Sequence, residues 1–456
     1  MSTSSHRWSR WLALLVVLGL LLAACGNSDD EDDAAEDDET TETTDGGEKV
    51  ALDVPGVTDD EIRFAAFGTN SNNPLGTCVL DCYVDGIEAY FAWRNSEGGI
   101  YGRDLVVSKS LDDELGKNQV RALEIVGADE DFGAFSATQI ASGWKNVAEA
   151  GIPLYTWSIH PESNGLEGVF GYAGAICLTC TNRATAYVAK LAKANKQASF
   201  GYGVSENSKK CAQANVATMK KYSGDIGGVD NVYLNDDLPF GLPNGVAPEV
   251  TAMKRAGVDF INACIDLNGM KTMAQELSRQ GMGDVTMVHP NTYDQDFVTA
   301  AGDLFEGDYV SVSFRPFEAE AAGSDLAQFK KWMDETGSKI KEISMIGWIN
   351  ADLAYQGLKA AGPNFDRQKV IDATNALEDY TAGGLIPPID WGRQHVPPTE
   401  EDPATNGSDP QCFALVQVKN GKFQVVGDKK KPFLCWPGDT RAWSEPEPTN
   451  FSSKES

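Results

Sequence analysis

The sequence predicts an α/β protein built on parallel sheets, and three observations predict it. The first is the stretch Ile125–Ser158, IVGADEDFGAFSATQIASGWKNVAEAGIPLYTWS. It reads as a buried strand ending near Phe135, then a polar turn, Ser136-Ala137-Thr138. A helix follows from about Gln139 to Ala150, with Ile140, Trp144 and Val147 on one face. Gly151 stops that helix, and Ile152–Trp157 is the next strand. Strand, helix, strand in this order makes the strands parallel, with a crossover between them. The second observation is that the alternation continues: strands at Ala198–Val204, Val229–Leu234, Val258–Ile265 and Val285–Val288 are separated by helical patterns. The third is size. A chain of 456 residues with 42% hydrophobic content has room for two or three domains with sizeable cores.

The N-terminus reads as a targeting segment. Arg7 and Arg10 precede an apolar run, Trp11–Ala24, too short to span a membrane and of signal-peptide length. The run ends in Leu22-Ala23-Ala24-Cys25-Gly26, which resembles a bacterial lipobox, so residues 1–24 form a lipoprotein signal and Cys25 is the lipidated first residue. The plainer alternative is an ordinary signal peptide with a chance cysteine. Residues 25–56 then make an acidic tether, with no apolar cluster and no basic residue before Lys49. The net charge of −29 argues against a nucleic-acid partner and against electrostatic attachment to anionic lipid. The only membrane contact expected is the lipid anchor.

Setting Cys25 aside leaves eight cysteines in an exported chain, which suggests four disulfides. Sequence does not fix the pairing, since eight cysteines allow about 105 connectivities. Local closure gives Cys78–Cys82, Cys177–Cys180, Cys211–Cys264 and Cys412–Cys435. The two short-spaced pairs form a zinc site in the competing reading, although no histidine lies near either.

In chain order, Glu61–Phe67 is the first strand. The turn-rich loop Thr69-Asn70-Ser71-Asn72-Asn73-Pro74 lies at its carboxyl end. Val84, Ile87 and Phe91 share one face of the first helix, which Gly98-Gly99 ends. Asp266 closes the strand Val258–Ile265, and His289-Pro290-Asn291-Thr292-Tyr293 closes Val285–Val288. Helices are expected at about Asp325–Glu335, Gly347–Ala360 and Arg367–Leu377. A hairpin is expected around Asn420-Gly421. The last residues, 436–456, read as a loose Pro- and charge-rich tail.

Ligands of open α/β sheets bind outside the carboxyl ends of strands. Ser136, Thr138, Trp157, Ser158 and Asp266 occupy such ends here. Hydroxyls beside an indole suit a small polar solute with an apolar part. Ser136 or Thr138 capping a helix is the bland alternative. Catalytic motifs are missing: there is no Gly-x-Ser-x-Gly elbow, His-Glu-x-x-His or Walker loop, and Gly201-Tyr202-Gly203 lacks the third glycine of a dinucleotide fingerprint. A carboxylate pair, Glu206 with Asp266, is the one acid–base arrangement on offer. The chain is expected not to be an enzyme, with no cofactor and no metal.

The run Tyr90-Phe91-Ala92-Trp93-Arg94-Asn95-Ser96-Glu97-Gly98-Gly99-Ile100-Tyr101-Gly102-Arg103 carries a family resemblance. With GAFSAT and AGIPLYTWS, it is similar to the branched-chain amino acid (Leu/Ile/Val-binding) group of ABC-importer substrate-binding proteins. The resemblance runs from about Val57 to Val426, specific in the first third and looser beyond. It implies the type I periplasmic-binding fold: two Rossmann-like lobes with parallel sheets joined by three hinge crossovers. The lobes would be Val57–Ile176 plus Val310–Tyr380, and Thr181–Gly307 plus Gly384–Cys435. It further implies capture of a small polar solute outside the cytoplasmic membrane and delivery to a permease and ATPase complex. A lipoprotein that senses the solute and signals is the alternative output, and a secreted hydrolase the third. Carried over residue by residue, Ser136, Ala137, Thr138, Trp157 and Ser158 fall on first-lobe contact segments. Thr156-Trp157-Ser158 replaces the family's small Ala/Thr stretch. Ser208 falls where the family often has Tyr, Asp266 falls near another contact Tyr, and Pro290-Asn291 near the acid that binds the amine. Tyr293 lies beside them. These departures leave an amide, a polyol, a urea-like solute or another amino acid open as the ligand.

Overall fold

A computed structural model describes residues 49–453, apart from 75, 173, 176, 178, 291, 398, 400–411 and 437–447. Cys25, the signal and most of the tether therefore lie outside the described residues, as does Asn291.

The first sheet is all parallel, in the order β2-β1-β3-β4-β5. Its strands are β1 (Glu61–Gly68), β2 (Asp104–Asp112), β3 (Gly133–Ala137), β4 (Leu154–Thr156) and β5 (Val169–Gly171). The intervening helices are α1 (Leu80–Ser96), α2 (Asn118–Ala128) and α3 (Trp144–Glu149). Every residue of β3 is buried, as a central strand covered by helices on both faces must be. Phe64, Phe91 and Phe135 meet there with ring centroids 5.2–6.0 Å apart.

The helix expected from Gln139 is shortened to α3. Gln139 N–H donates to Thr69 Oγ1, and the amides of Ser142 and Gly143 both donate to Asn118 Oδ1. Those side chains hold residues 139–143 in a turn, and Ile140 is exposed instead of lining a face.

After β5 the chain crosses to a second sheet. Its parallel strands are β6 (Lys196–Tyr202), β7 (Asp230–Leu238), β8 (Phe260–Cys264), β9 (Thr286–His289) and β10 (Tyr309–Val312). They alternate with α4 (Arg183–Leu191), α5 (Glu206–Tyr222), α6 (Ala247–Ala256), α7 (Leu267–Arg279) and α8 (Gln295–Ala301). A lobe boundary at Val310 is thus three residues early, because β10 runs to Val312 in the second sheet and only then does the chain return.

Three helices, α9 (Leu326–Glu335), α10 (Glu342–Ala361) and α11 (Arg367–Asn375), complete the first lobe. Helix α10 begins at Glu342, five residues before the expected Gly347. It lies across α1 at two glycines. A Cβ on Gly86 would fall 1.8 Å from Ser344 O, and one on Gly347 would fall 2.0 Å from Tyr83 O. Only glycine lets the two backbones meet. Trp348 closes the contact, stacked on Trp93 at 5.5 Å and edge-on to Tyr90 at 5.0 Å.

The return to the second lobe also differs from the expected Gly384. Tyr380 and Ile389 exchange backbone hydrogen bonds, Trp391 packs on Phe170 of β5 at 5.4 Å, and Gly165 N–H donates to His395 O. Residues 384–395 therefore stay on the first lobe. The chain rejoins the second sheet through antiparallel strands β11 (Cys412–Lys419), β12 (Lys422–Val425), β13 (Phe433–Cys435) and β14 (Thr449–Phe451). The tail expected to be loose supplies β14, and Trp436 is buried against Phe413.

Four disulfides join Cys78–Cys82, Cys177–Cys180, Cys211–Cys264 and Cys412–Cys435, the pairs that local closure gives. The zinc alternative fails, since its four sulfurs are consumed in two bridges. Among the described residues, no helix is long and apolar enough to cross a membrane, and no group of three His, Cys, Asp or Glu is placed to hold a metal.

Candidate functional site

The loop at the carboxyl end of β1 approaches the carboxyl ends of β7 and β8, where Pro74 lies beside Gly241 and Asn268. On the first-lobe side Ser136, Ala137 and Thr138 are all buried. Ser136 Oγ accepts from Trp144 Nε1 at 2.6 Å. Thr138 Oγ1 donates to Asp113 Oδ2, and its oxygen lies 3.3 Å from Thr69 Oγ1. Asp113 also receives Leu115 N–H and Asn118 Nδ2. These hydroxyls fasten the loops behind the cleft; neither caps α3, whose N-cap is Gly143. Trp157 and Ser158, at the end of β4, are half-buried and stand at the rim.

The loop after β1 reaches the other lobe. Burial raises the Asp112 carboxyl, but the Ser71 hydroxyl and the amides of Asn70, Glu114 and Ser71, all donating to it, together outweigh burial and hold it down at about 2. The Cys78–Cys82 bridge ties the loop's far end to the first turn of α1. At its tip, Asn268 Nδ2 donates to Pro74 O at 3.0 Å, and Gly76 lies so close to Asn268 that a Cβ there would fall 2.3 Å from its amide.

On the second-lobe side, Ser208 Oγ accepts from Tyr202 N at 2.7 Å and donates to Cys264 O. Asp266 is the N-cap of α7: Oδ2 accepts from the amides of Asn268 and Gly269 at 3.1 and 3.2 Å, and Oδ1 accepts from the Tyr202 hydroxyl. Burial pushes its carboxyl up, and those donors pull it back. Both oxygens are engaged, so Asp266 organises the cleft wall and has little left to offer a solute. Glu206 is exposed and faces Lys210, 3.9 Å away, not Asp266. Tyr293 is buried: its hydroxyl donates to Glu318 Oε2 at 2.5 Å, accepts from Phe317 N, and its ring stacks on Phe317 at 4.8 Å.

Sequence reasoning missed the hinge side of the cleft. Tyr172, just beyond β5, lies near Ser313, just beyond β10. Glu342, the first residue of α10, is half-buried near Tyr172 and Tyr293. Burial pushes the Glu342 carboxyl up to about 8; the Tyr293 amide opposes this and nearby Asp294 adds to it. Glu318 is likewise raised by burial, and Tyr172 is pushed up to about 12. The usable signal was an acid directly ahead of the apolar run Ile343–Ile349. It is lost when the helix is started at Gly347. A separate hollow of about 370 Å³, lined by Asp352, Gln356 and residues 377–383, lies on the first lobe, away from these strand ends.

A family model described as periplasmic binding protein matches residues 76–422. The chain belongs to the periplasmic binding protein family. Solved structures agree on the type I periplasmic binding protein fold. A substrate-binding periplasmic protein from Ralstonia solanacearum has a TM-score of 0.61 at 16% identity, covering 80% of this chain and 100% of that one. A solute-binding protein of an ABC transporter from R. palustris, in complex with benzoate, has 0.60 at 17%, covering 83% and 98%. The branched-chain amino acid transporter substrate-binding protein LivJ from Streptococcus pneumoniae, in complex with isoleucine, has 0.61 at 15%, covering 80% and 99%. Comparison with curated protein sequences gives no match. Like other periplasmic binding proteins, this one is an extracytoplasmic, ABC-transporter-type binder of small ligands, from a family of binding proteins and not of enzymes.

Proposed function

We propose that this periplasmic binding protein is a lipoprotein anchored through Cys25 that captures a small polar solute, an amino acid, amide or similar, and hands it to an ABC permease and its ATPase. The observation that carries the reading is that the loop at the carboxyl end of the first sheet's β1 meets the carboxyl end of the second sheet's β8, Pro74 against Asn268. That is where open α/β sheets take ligands. Trp157 and Ser158 at the rim, with Tyr172, Tyr293 and Glu342 at the hinge, are the contacts proposed. Ser136, Thr138, Ser208 and Asp266 support them from behind.

A thermal-shift screen against small polar metabolites tests the capture. A solute present at 100 times its Kd adds about 2.7 kcal/mol to the stability of the bound form. Its Trp fluorescence change should be lost in Trp157→Phe. A screen in which no solute raises the melting temperature argues against capture. The anchor is tested by fractionating cells that carry Cys25→Ser. Protein that stays lipid-modified and membrane-bound would rule Cys25 out.

A further inference from the structure

We infer that the C-terminal segment 449–453 is a clasp that holds the two lobes to one another at their crossovers, whatever solute the protein takes. Crossovers are where a hinge bends, because a few residues there absorb the change in backbone angles. The second of them leaves β10 at Val312 and carries Arg315. Arg315 is fully buried, and its backbone N–H donates to Leu385 O on the first lobe at 2.6 Å. Its guanidinium fans out over three segments. Nε donates to Glu320 O at 2.8 Å, within the crossover. Nη2 donates to Lys430 O at 3.0 Å, in the turn between β12 and β13, and Nη1 to Ser452 Oγ at 3.2 Å, just past β14. The next residue, Ser453, donates its hydroxyl to Ile386 O, again on the first lobe.

The segment that carries these serines is built into the second sheet. Strand β14 pairs with β13, and β13 pairs with β11 and is bridged to it by Cys412–Cys435. Phe451 packs on the main core from the same strand. The Ser453–Ile386 bond therefore ties the outermost strand of the second sheet to the first lobe, and Glu320 N–H adds a bond from the crossover to Lys429 O at 3.0 Å. Rotation of one lobe against the other pulls these partners apart. Arg315 makes that costly, since buried guanidinium N–H groups lose acceptors where water does not replace them. Ser452 and Ser453 thus favour the arrangement in which Pro74 meets Asn268.

The test is made without any solute, so its outcome is separate from that of the capture reading. Two clasp variants are compared with wild type: Ser452→Ala with Ser453→Ala, and a chain ending at residue 447. Asn450→Ala is the control, because the bond it removes, Asn450 Nδ2 to Lys431 O at 3.0 Å, stays within the second lobe. Hydrogen exchange is read on peptides spanning 69–77 and 267–270, and small-angle scattering gives the radius. Loss of two hydrogen bonds of ordinary net worth should speed exchange of those peptides roughly tenfold in the serine pair, and by more in the shortened chain. The radius should grow, and peptides from α1 and α10 should exchange as in wild type. Asn450→Ala should match wild type in every readout. Unchanged exchange at 69–77 and 267–270 in both clasp variants overturns the inference, even if they melt lower. Asn450→Ala opening the lobes as far as the serine pair overturns it too, since support of the strand would then account for the effect.

Discussion

Two acids begin helices beside the cleft, Asp266 at α7 and Glu342 at α10, and they do opposite things. Asp266 is an N-cap with extended backbone, and its short side chain folds back onto the amides of the turn it opens. Tyr202 takes the other oxygen, so the group is saturated by its own lobe. Glu342 is one residue further in, at the first helical position. The cap beside it is Lys341, with the Ser344 hydroxyl closing back on the Lys341 amide. Glu342 is half-buried, and burial raises its carboxyl to about 8. An acid at a helix start can thus be saturated by its own turn or left without those donors, and a single position along the chain decides which.

The largest expected effect comes from breaking the saturated partner. Asp266→Ala leaves the Tyr202 hydroxyl and two α7 amides without acceptors, and should cost about 2–3 kcal/mol of folding stability by urea denaturation. A variant that is as stable as wild type yet loses solute binding would make Asp266 a ligand contact.

Glu342→Gln should do the reverse. The carboxyl is raised in the folded protein to about 8 from an ordinary 4.5. The folded state then holds a proton that the unfolded chain releases. The contribution is complete below pH 4.5 and is lost as pH climbs to about 8. Wild type should therefore lose stability across that window while Glu342→Gln loses less, so the variant melts higher at pH 8.5 and equally at pH 4. Parallel melting curves across the range would contradict this placement of Glu342.

The smallest effect is at the lobe contact. Asn268→Ala removes one hydrogen bond between lobes, worth about 1 kcal/mol. It should weaken solute binding several-fold, with little change in stability if the contact forms mainly in the closed state. Small-angle scattering should then show a larger radius for the ligand-free variant; an unchanged radius and affinity would remove the latch.

Much of the fold was legible because periodicity and glycine stops report local structure directly. Strands β1, β3, β8 and β9 and helices α1, α7 and α9 follow from them. The site was less so. Ser136 and Thr138 are polar residues at a strand end, which is how a contact looks, yet β3 is covered on both faces and its hydroxyls found Trp144 and Asp113. Those partners lie on other elements, and a one-dimensional pattern does not name them. Helix α3 failed for the same reason: Thr69 and Asn118, distant in sequence, take the amides that a longer helix would use. Glu342 was hidden by a boundary error of five residues.

The glycine crossing of α1 and α10 has a mechanical consequence. Because a Cβ at Gly86 or Gly347 would collide with the backbone of the other helix, any side chain there would force the starts of α1 and α10 apart. The start of α1 also carries the disulfide-tied loop that touches Asn268, so a substitution at the crossing would displace a contact in the other lobe that it does not itself make.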